Sequence, residues 1–199
     1  ELFLELARPE QTRMRHLLAE CSPEVLIARL AERLPLLPIE AWQRNAGASD
    51  LHIGAHPHHG AELVYIGAVP PLGRLGPGML RGAAHLALEQ GDGSLRFTPW
   101  QSLLLPGVDP RAAPEVIHKL EQLGLRCSAD AALAHLIACT GATGCGKGLA
   151  DTKGDARQLA TLLQPHGKTL NVHLSACSRS CAAAHIAPVT LLAVAPGRY

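Results

Sequence analysis

The residues in this sequence that could do chemistry are cysteines. There are six: Cys21, Cys127, Cys139, Cys145, Cys177 and Cys181. Five residues separate Cys139 from Cys145, three separate Cys177 from Cys181, and 31 lie between the pairs. Each pair follows a short apolar run that reads as a strand and precedes a stretch that reads as a helix. Thiolates placed so, at strand ends and near helix N-termini, meet unpaired N–H groups and a favourable dipole, which lower a thiol pKa. Four cysteines is the right number for a [4Fe–4S] cluster, and the Gly- and Thr-rich first loop leaves room and N–H donors for sulfur. Zinc is the alternative: its sites use cysteine pairs two to four residues apart, so the second pair suits it and the first is wide. Unligated core cysteines are the third reading. An even count also permits three disulfides, but a chain with no export signal and a good aliphatic core needs no staples.

The elements that must position these thiols follow from periodicity. Residues 10–34 carry helical spacing, with Ser22-Pro23-Glu24 as N-cap, first-turn proline and first-turn acid, so two helices broken near Cys21 are predicted. From Asp50 the period changes to two. Residues 51–56 and 62–69 read as a hairpin around His58-His59-Gly60. Residues 70–78 read as a loop, 79–89 as a helix, 94–98 as a strand, and 100–105 as another strand closed by Pro106-Gly107. Residues 114–123 read as a helix with Gly124 as its C-cap. Residues 50–125 therefore form a β-β-α-β-(β)-α unit, a small ferredoxin-like α+β arrangement. Beyond it come a short strand before Cys139, a helix over 155–163, a strand over 170–174, a helical turn over 182–185 and a last strand over 190–194.

Composition bounds the function. The chain has 199 residues, 47% hydrophobic, with 18 Lys plus Arg against 17 Asp plus Glu and a formal net charge of +1. That balance excludes a strongly basic nucleic-acid binder, and 3% aromatic residues leave few stacking platforms. No run of about 18 apolar residues offers a membrane span. The first residues do not read as a signal peptide. Cytoplasm is the expected location, and no nucleic acid or membrane partner is expected. Both ends read as cut, so the expectation is a fragment of a longer protein.

Cys-x5-Cys followed by Cys-x3-Cys resembles the cluster motif of the nitrite and sulfite reductase superfamily. Arg96-Phe97-Thr98-Pro99-Trp100-Gln101 resembles that superfamily's Arg-x-Thr-x-x-Gln strand. The resemblance covers roughly residues 50–199. It implies an α+β fold: a helical tail of a preceding domain over 1–45, a ferredoxin-like half-domain over 46–125, and a [4Fe–4S]-binding α/β domain over 126–199, truncated at its C-terminus. The cluster ligands it implies are Cys139, Cys145, Cys177 and Cys181.

Within the superfamily, the runs Cys139–Cys145, Gly148–Lys153 and Leu174–Ala182 look like precorrin-3B synthase. Sirohaem reductases often carry Pro-Asn-Gly between the last two cysteines, where this chain has Ser178-Arg179-Ser180. The synthase resemblance implies an oxidoreductase of aerobic cobalamin biosynthesis, a monooxygenase hydroxylating precorrin-3A with dioxygen and forming a lactone. It also implies a mononuclear non-haem iron beside the cluster, and an electron donor. A sirohaem-dependent nitrite or sulfite reductase is the alternative, and a zinc-stabilised non-catalytic module the second. Tetrapyrrole carboxylates need cations, for which Lys147, Arg179 and Arg96 are the candidates, with Arg74 behind them.

Other residues carry weaker signals. A strand would put His52 and His56 on one face near His58 and His59, which suggests a second metal, although a solvated turn is the plainer reading. His173 and His185 flank the last cysteine pair and read as packed or supporting histidines. Gly73-x-x-Gly76-x-Gly78 has the wrong order for a dinucleotide loop and reads as structural. Cys21 and Cys127 read as buried free thiols.

Overall fold

The computed structural model describes residues 1–37, 50–60, 62–166, 170–183 and 187–199. They fall into two compact units, Glu1–Gly47 and Ala48–Tyr199. Among the described residues no helix is long and apolar enough to cross a membrane.

The first unit holds three helices: α1 (Leu2–Leu6), α2 (Met14–Leu18) and α3 (Pro23–Ala31). The break near Cys21 arises as its residue types require. Ser22 is extended and its hydroxyl accepts from the Val25 N–H at 3.4 Å, while Pro23 has no N–H to lose at the first helical position. The short α1 has no counterpart in the periodicity reading.

The second unit contains two sheets. Strands β1 (Gly54–Pro57), β2 (Val64–Ala68), β3 (Arg96–Phe97) and β4 (Leu103–Val108) form an antiparallel sheet in the order β1-β2-β4-β3. Helices α4 (Pro77–Gln90) and α5 (Ala113–Gln122) cover it. Ile66, Leu103, Leu105 and Leu120 are fully buried between them. Helix α5 ends as expected at Gly124: φ is +90°, the Gly124 N–H reaches Glu121 O at 2.9 Å and the Leu125 N–H reaches Leu120 O at 3.1 Å. A second sheet, β5 (Leu136–Ala138), β6 (Val172–Ser175) and β7 (Val189–Leu192), is parallel, with helix α6 (Thr152–Leu163) crossing between its first two strands. The α+β fold is as expected.

Three expectations need correction. Strand β1 starts at Gly54, and residues 50–53 form a turn, so His52 lies outside the strand. Strand β4 does not stop at Pro106-Gly107 but runs through it. The ladder shifts between Val64↔Val108 and Ile66↔Leu105, so a bulge takes up the proline that has no N–H to give. Trp100 and Gln101 lie in the turn before β4, with Gln101 at φ +58°. Helix α6 begins at Thr152, three residues earlier than predicted, because the Asp151 side chain caps it through the Gly154 N–H at 3.2 Å. The proposed turn over 182–185 falls partly outside the described residues.

A loop joins the two sheets' cores. Pro71–Gly73 forms a 3₁₀ turn, and Leu72, at φ +51°, is only 1% exposed in the cluster of Leu136, Val172 and Leu174. A left-handed leucine costs about 1 kcal/mol, and burying its side chain contributes about 2 kcal/mol, so burial decides the conformation. Leu72 gives this stretch a packing role in the second core.

Gly107 gives a direct test of the bulge. Its φ is +79°, and a Cβ there would lie 2.8 Å from the Asp92 N and Cβ atoms. Gly107→Ala is expected to destabilise the protein by about 2 kcal/mol, lowering Tm by about 4–8 °C in thermal melts. An unchanged Tm would show that the bulge tolerates a side chain.

Candidate metal centre

Strand pairing builds this site. In the parallel β5–β6 ladder Ala138 lies opposite Leu174, and the Cys139 N–H extends it by donating to Leu174 O at 3.2 Å. Cys139 and Cys177 thus leave adjacent strands at the same edge of the sheet. The Cys139 Sγ accepts from the Ala176 N–H at 3.2 Å and lies 3.5 Å from the Thr152 hydroxyl, which itself donates to Cys139 O at 3.0 Å. The loop carrying Cys145 folds back on the same strand ends: the Leu149 N–H donates to Ala176 O at 2.9 Å and the Ala142 N–H to Ala150 O at 2.8 Å. Gly141 makes that fold possible. Its φ is +73°, and a Cβ would meet Thr152 N at 2.9 Å and Ala150 O at 3.0 Å. In the second loop the Ser175 hydroxyl donates to Cys177 O at 2.7 Å, and Ser180 takes φ +49°.

All six cysteines are free thiols. Cys139 and Cys177 are half-buried, and Cys145 and Cys181 are exposed. Burial works to raise the Cys139 thiol. The Ala176 N–H, the Thr152 hydroxyl, the Gly141 N–H and the Lys153 charge outweigh it and hold the thiol below the usual cysteine range. Cys127 is the opposite case: buried in the first core, with Glu121 adding repulsion, it is pushed up to about 12. The prediction that Cys127 is a buried free thiol matches its position; Cys21 is only half-buried.

Four thiols on two adjoining loops, with an N–H already aimed at one sulfur, match in donor chemistry what an iron–sulfur cluster requires. Among the described residues no three His, Cys, Asp or Glu side chains are gathered into a closed ligand group. The loops are adjacent, and the cage is not drawn shut.

The cations divide. Lys147 and Arg179 are exposed on the two cysteine loops. Arg96 is on the edge strand β3 and faces Asp92 at 3.6 Å in a surface ion pair. From its motif it is Gln101 that reaches the cysteines: its amide donates to Ala182 O at 3.3 Å, beside Cys181. Arg74 is exposed on the 70–76 loop. Among the described residues the histidines are not gathered into a metal-ligand group. His52 stacks on Trp100 with centroids 5.5 Å apart, and burial holds its pKa below the ordinary histidine value. His56 turns its Nε2 to Ile53 O at 2.7 Å and its ring to Tyr65. The reason is the shortened β1, which removes His52 from the face that His56 occupies. His173 is buried in β6, and His185 lies outside the described residues.

Sequence reasoning assigned no role to Lys153. It is 9% exposed in the first turn of α6, and its ammonium donates to Leu72 O at 2.6 Å and Ala138 O at 3.0 Å. Burial lowers its pKa from the ordinary lysine value, helped by the Arg74 and Arg157 charges. The signal available was the position of a lysine directly after a helix-capping Asp-Thr pair.

Thiol reactivity should separate the cysteines. In metal-free native protein at about pH 8, iodoacetamide should modify exposed Cys145 and Cys181 and leave Cys127 intact until denaturant is added. Peptide mass spectrometry reads this out. Cys127 labelling as fast as Cys145 would contradict its burial.

Residues 56–123 match the family model described as "Nitrite/Sulfite reductase ferredoxin-like half domain". The chain is 28% identical over 195 residues to the chloroplastic ferredoxin–nitrite reductase of Zea mays, covering 90% of this chain and 33% of that protein. It is 31% identical over 152 residues to sulfite reductase [ferredoxin] 2 of Mycolicibacterium paratuberculosis, covering 69% of this chain and 27% of that protein. The solved structure of the Mycobacterium tuberculosis NirA protein superimposes with a TM-score of 0.75 at 26% identity, over 90% of this chain and 35% of that one. The chain therefore spans about a third of the length of these relatives. Residues 56–123 thus match the nitrite/sulfite reductase ferredoxin-like half-domain model, in a chain whose fold is similar to that of NirA and whose sequence is similar to nitrite and sulfite reductases.

Proposed function

We propose that this chain is the cluster-bearing part of an iron–sulfur oxidoreductase of nitrite/sulfite reductase type, reducing nitrite or sulfite at a sirohaem. The observation that carries this reading is the joint placement of the Cys139–Cys145 and Cys177–Cys181 loops at one edge of β5 and β6, with the Ala176 N–H on the Cys139 sulfur. The similarity to named nitrite and sulfite reductases supports the choice of reaction.

Cys139, Cys145, Cys177 and Cys181 would hold a [4Fe–4S] cluster, which supplies electrons one at a time. The protein's own contribution is electrostatic and positional. The Ala176 N–H and the Thr152 hydroxyl favour the thiolate form of Cys139. Gln101 ties the second cysteine loop to the first sheet through Ala182 O. Lys147 and Arg179, exposed beside the ligands, present cations to an anionic partner such as a tetrapyrrole carboxylate. Thiolates that hold a cluster must stay reduced, which fits the cytoplasm as the proposed location.

One observation favours a second reading, a precorrin-3B synthase-like monooxygenase that uses dioxygen and an electron donor on precorrin-3A. Ser178-Arg179-Ser180, with a central basic residue as the synthases tend to have, occupies the position where sirohaem reductases often carry Pro-Asn-Gly. The non-haem iron of that reading finds no support from His52 and His56, whose rings are engaged elsewhere.

Anaerobic purification of the full-length protein distinguishes these readings. Five iron and four acid-labile sulfide per chain with an extractable red-absorbing sirohaem support the reductase, four iron coming from one cubane cluster and the fifth from the haem. Cluster absorption alone, with dioxygen consumed on adding precorrin-3A, supports the synthase. About one zinc and no sulfide would leave only a zinc-stabilised module. Cys139→Ser should abolish the iron content and Cys127→Ala should leave it unchanged; equal losses would show that the ligand set is wrong.

A further inference from the structure

A lysine buried without a carboxylate is expensive, because its ammonium loses solvation that two carbonyl oxygens replace only in part. Lys153 is in that position. Its ammonium reaches Leu72 O and Ala138 O, and among the described residues no acidic side chain lies within salt-bridge distance. A methionine or leucine would fill similar space at lower cost, so stability alone is a poor reason for a cation here. Its location is informative. Ala138 is the last residue of β5, Cys139 is next, and the Lys153 charge contributes to favouring the Cys139 thiolate. Asp151 caps the helix that carries it, and the Leu72 turn closes over it, so the charge is held in one place.

We propose that Lys153 is a positioning residue that fixes a positive charge at the Cys139 end of β5 and raises the reduction potential of the cluster bound there. The inference rests on the cluster reading above. Reduction adds one electron to the cluster and makes it more negative, so a fixed cation nearby favours the reduced form, and the low dielectric of its buried setting strengthens the effect. Arg74 and Arg157, the other cations that act on Lys153, are both exposed and screened by solvent.

The test is a dithionite titration of full-length protein with redox mediators, followed by cluster EPR, for wild type, Lys153→Met, Lys153→Gln and Lys153→Arg. Iron and sulfide are measured first in wild type; their absence there overturns the cluster reading itself. With the cluster present, Lys153→Arg should keep the wild-type midpoint. Lys153→Met should shift the reduction equilibrium at least tenfold toward the oxidised form, about 59 mV for one electron. Lys153→Gln keeps N–H donors without the charge, and carries the test if Lys153→Met loads no cluster. A neutral variant that loads its cluster with a wild-type midpoint overturns the proposal. So does loss of the cluster in both neutral variants, which would make Lys153 a structural clasp, or an arginine variant shifted as far as the methionine one.

Discussion

The parallel pairing of β5 with β6 is the constraint on which the site depends. Ala138 opposite Leu174 places Cys139 beside Ser175 and puts the Ala176 N–H within reach of the Cys139 sulfur. A strand's side chains alternate between faces, so a slip of one residue would send Leu136 and Ala138 out of the core and turn Cys139 away from its donor. The apolar contacts that fix the register, Leu136, Val172 and Leu174 against Ala156 of α6, therefore also fix the sulfur chemistry.

Among the described residues, the two sheets of the second unit are joined by polar contacts, by the buried Leu72 and by the apolar cluster of Ile53, Val69 and Ala134. Leu72 leaves the first sheet's connection and enters the second sheet's core, and Lys153 binds the carbonyl of that same residue. Gln101 makes the reciprocal contact from the β3–β4 turn to the second cysteine loop. The ferredoxin-like half is thus fastened to the second thiol-bearing loop through Gln101 and to α6, beside the end of β5, through Leu72. This explains why its 70–76 and 98–102 segments have irregular backbone, with Leu72 and Gln101 in left-handed conformations: each is shaped by a partner outside its own sheet.

Much of this was legible in the residue order. Ser22-Pro23 marked the start of α3, Gly124 marked the end of α5, and alternation over 62–69 marked β2, because each is a local signal with a local cause. The two cysteine loops were found from spacing alone. What was not legible depended on partners distant in sequence. Pro106-Gly107 reads as a stop, but tertiary pairing with β2 absorbs it as a bulge. His52 and His56 read as part of a metal-binding cluster, but Trp100 engages one ring and Tyr65 and Ile53 O the other. Arg96 read as the functional residue of its strand, whereas Gln101 makes the contact, because the chain turns between them. Lys153 carries no motif of its own, and only the convergence of Leu72 O and Ala138 O shows what it does.

Thr152 and Lys153 share the first turn of α6, which is held by the single Asp151 cap. Helix ends open more readily than helix centres, and neighbouring groups that open together exchange amide protons as one cooperative unit. Fraying of this one turn would release the Cys139 carbonyl, the Leu72 carbonyl and the β5 end in the same event. The thiol-bearing loops and the joint between the sheets thus share one anchoring turn, and any opening of it would disturb both together.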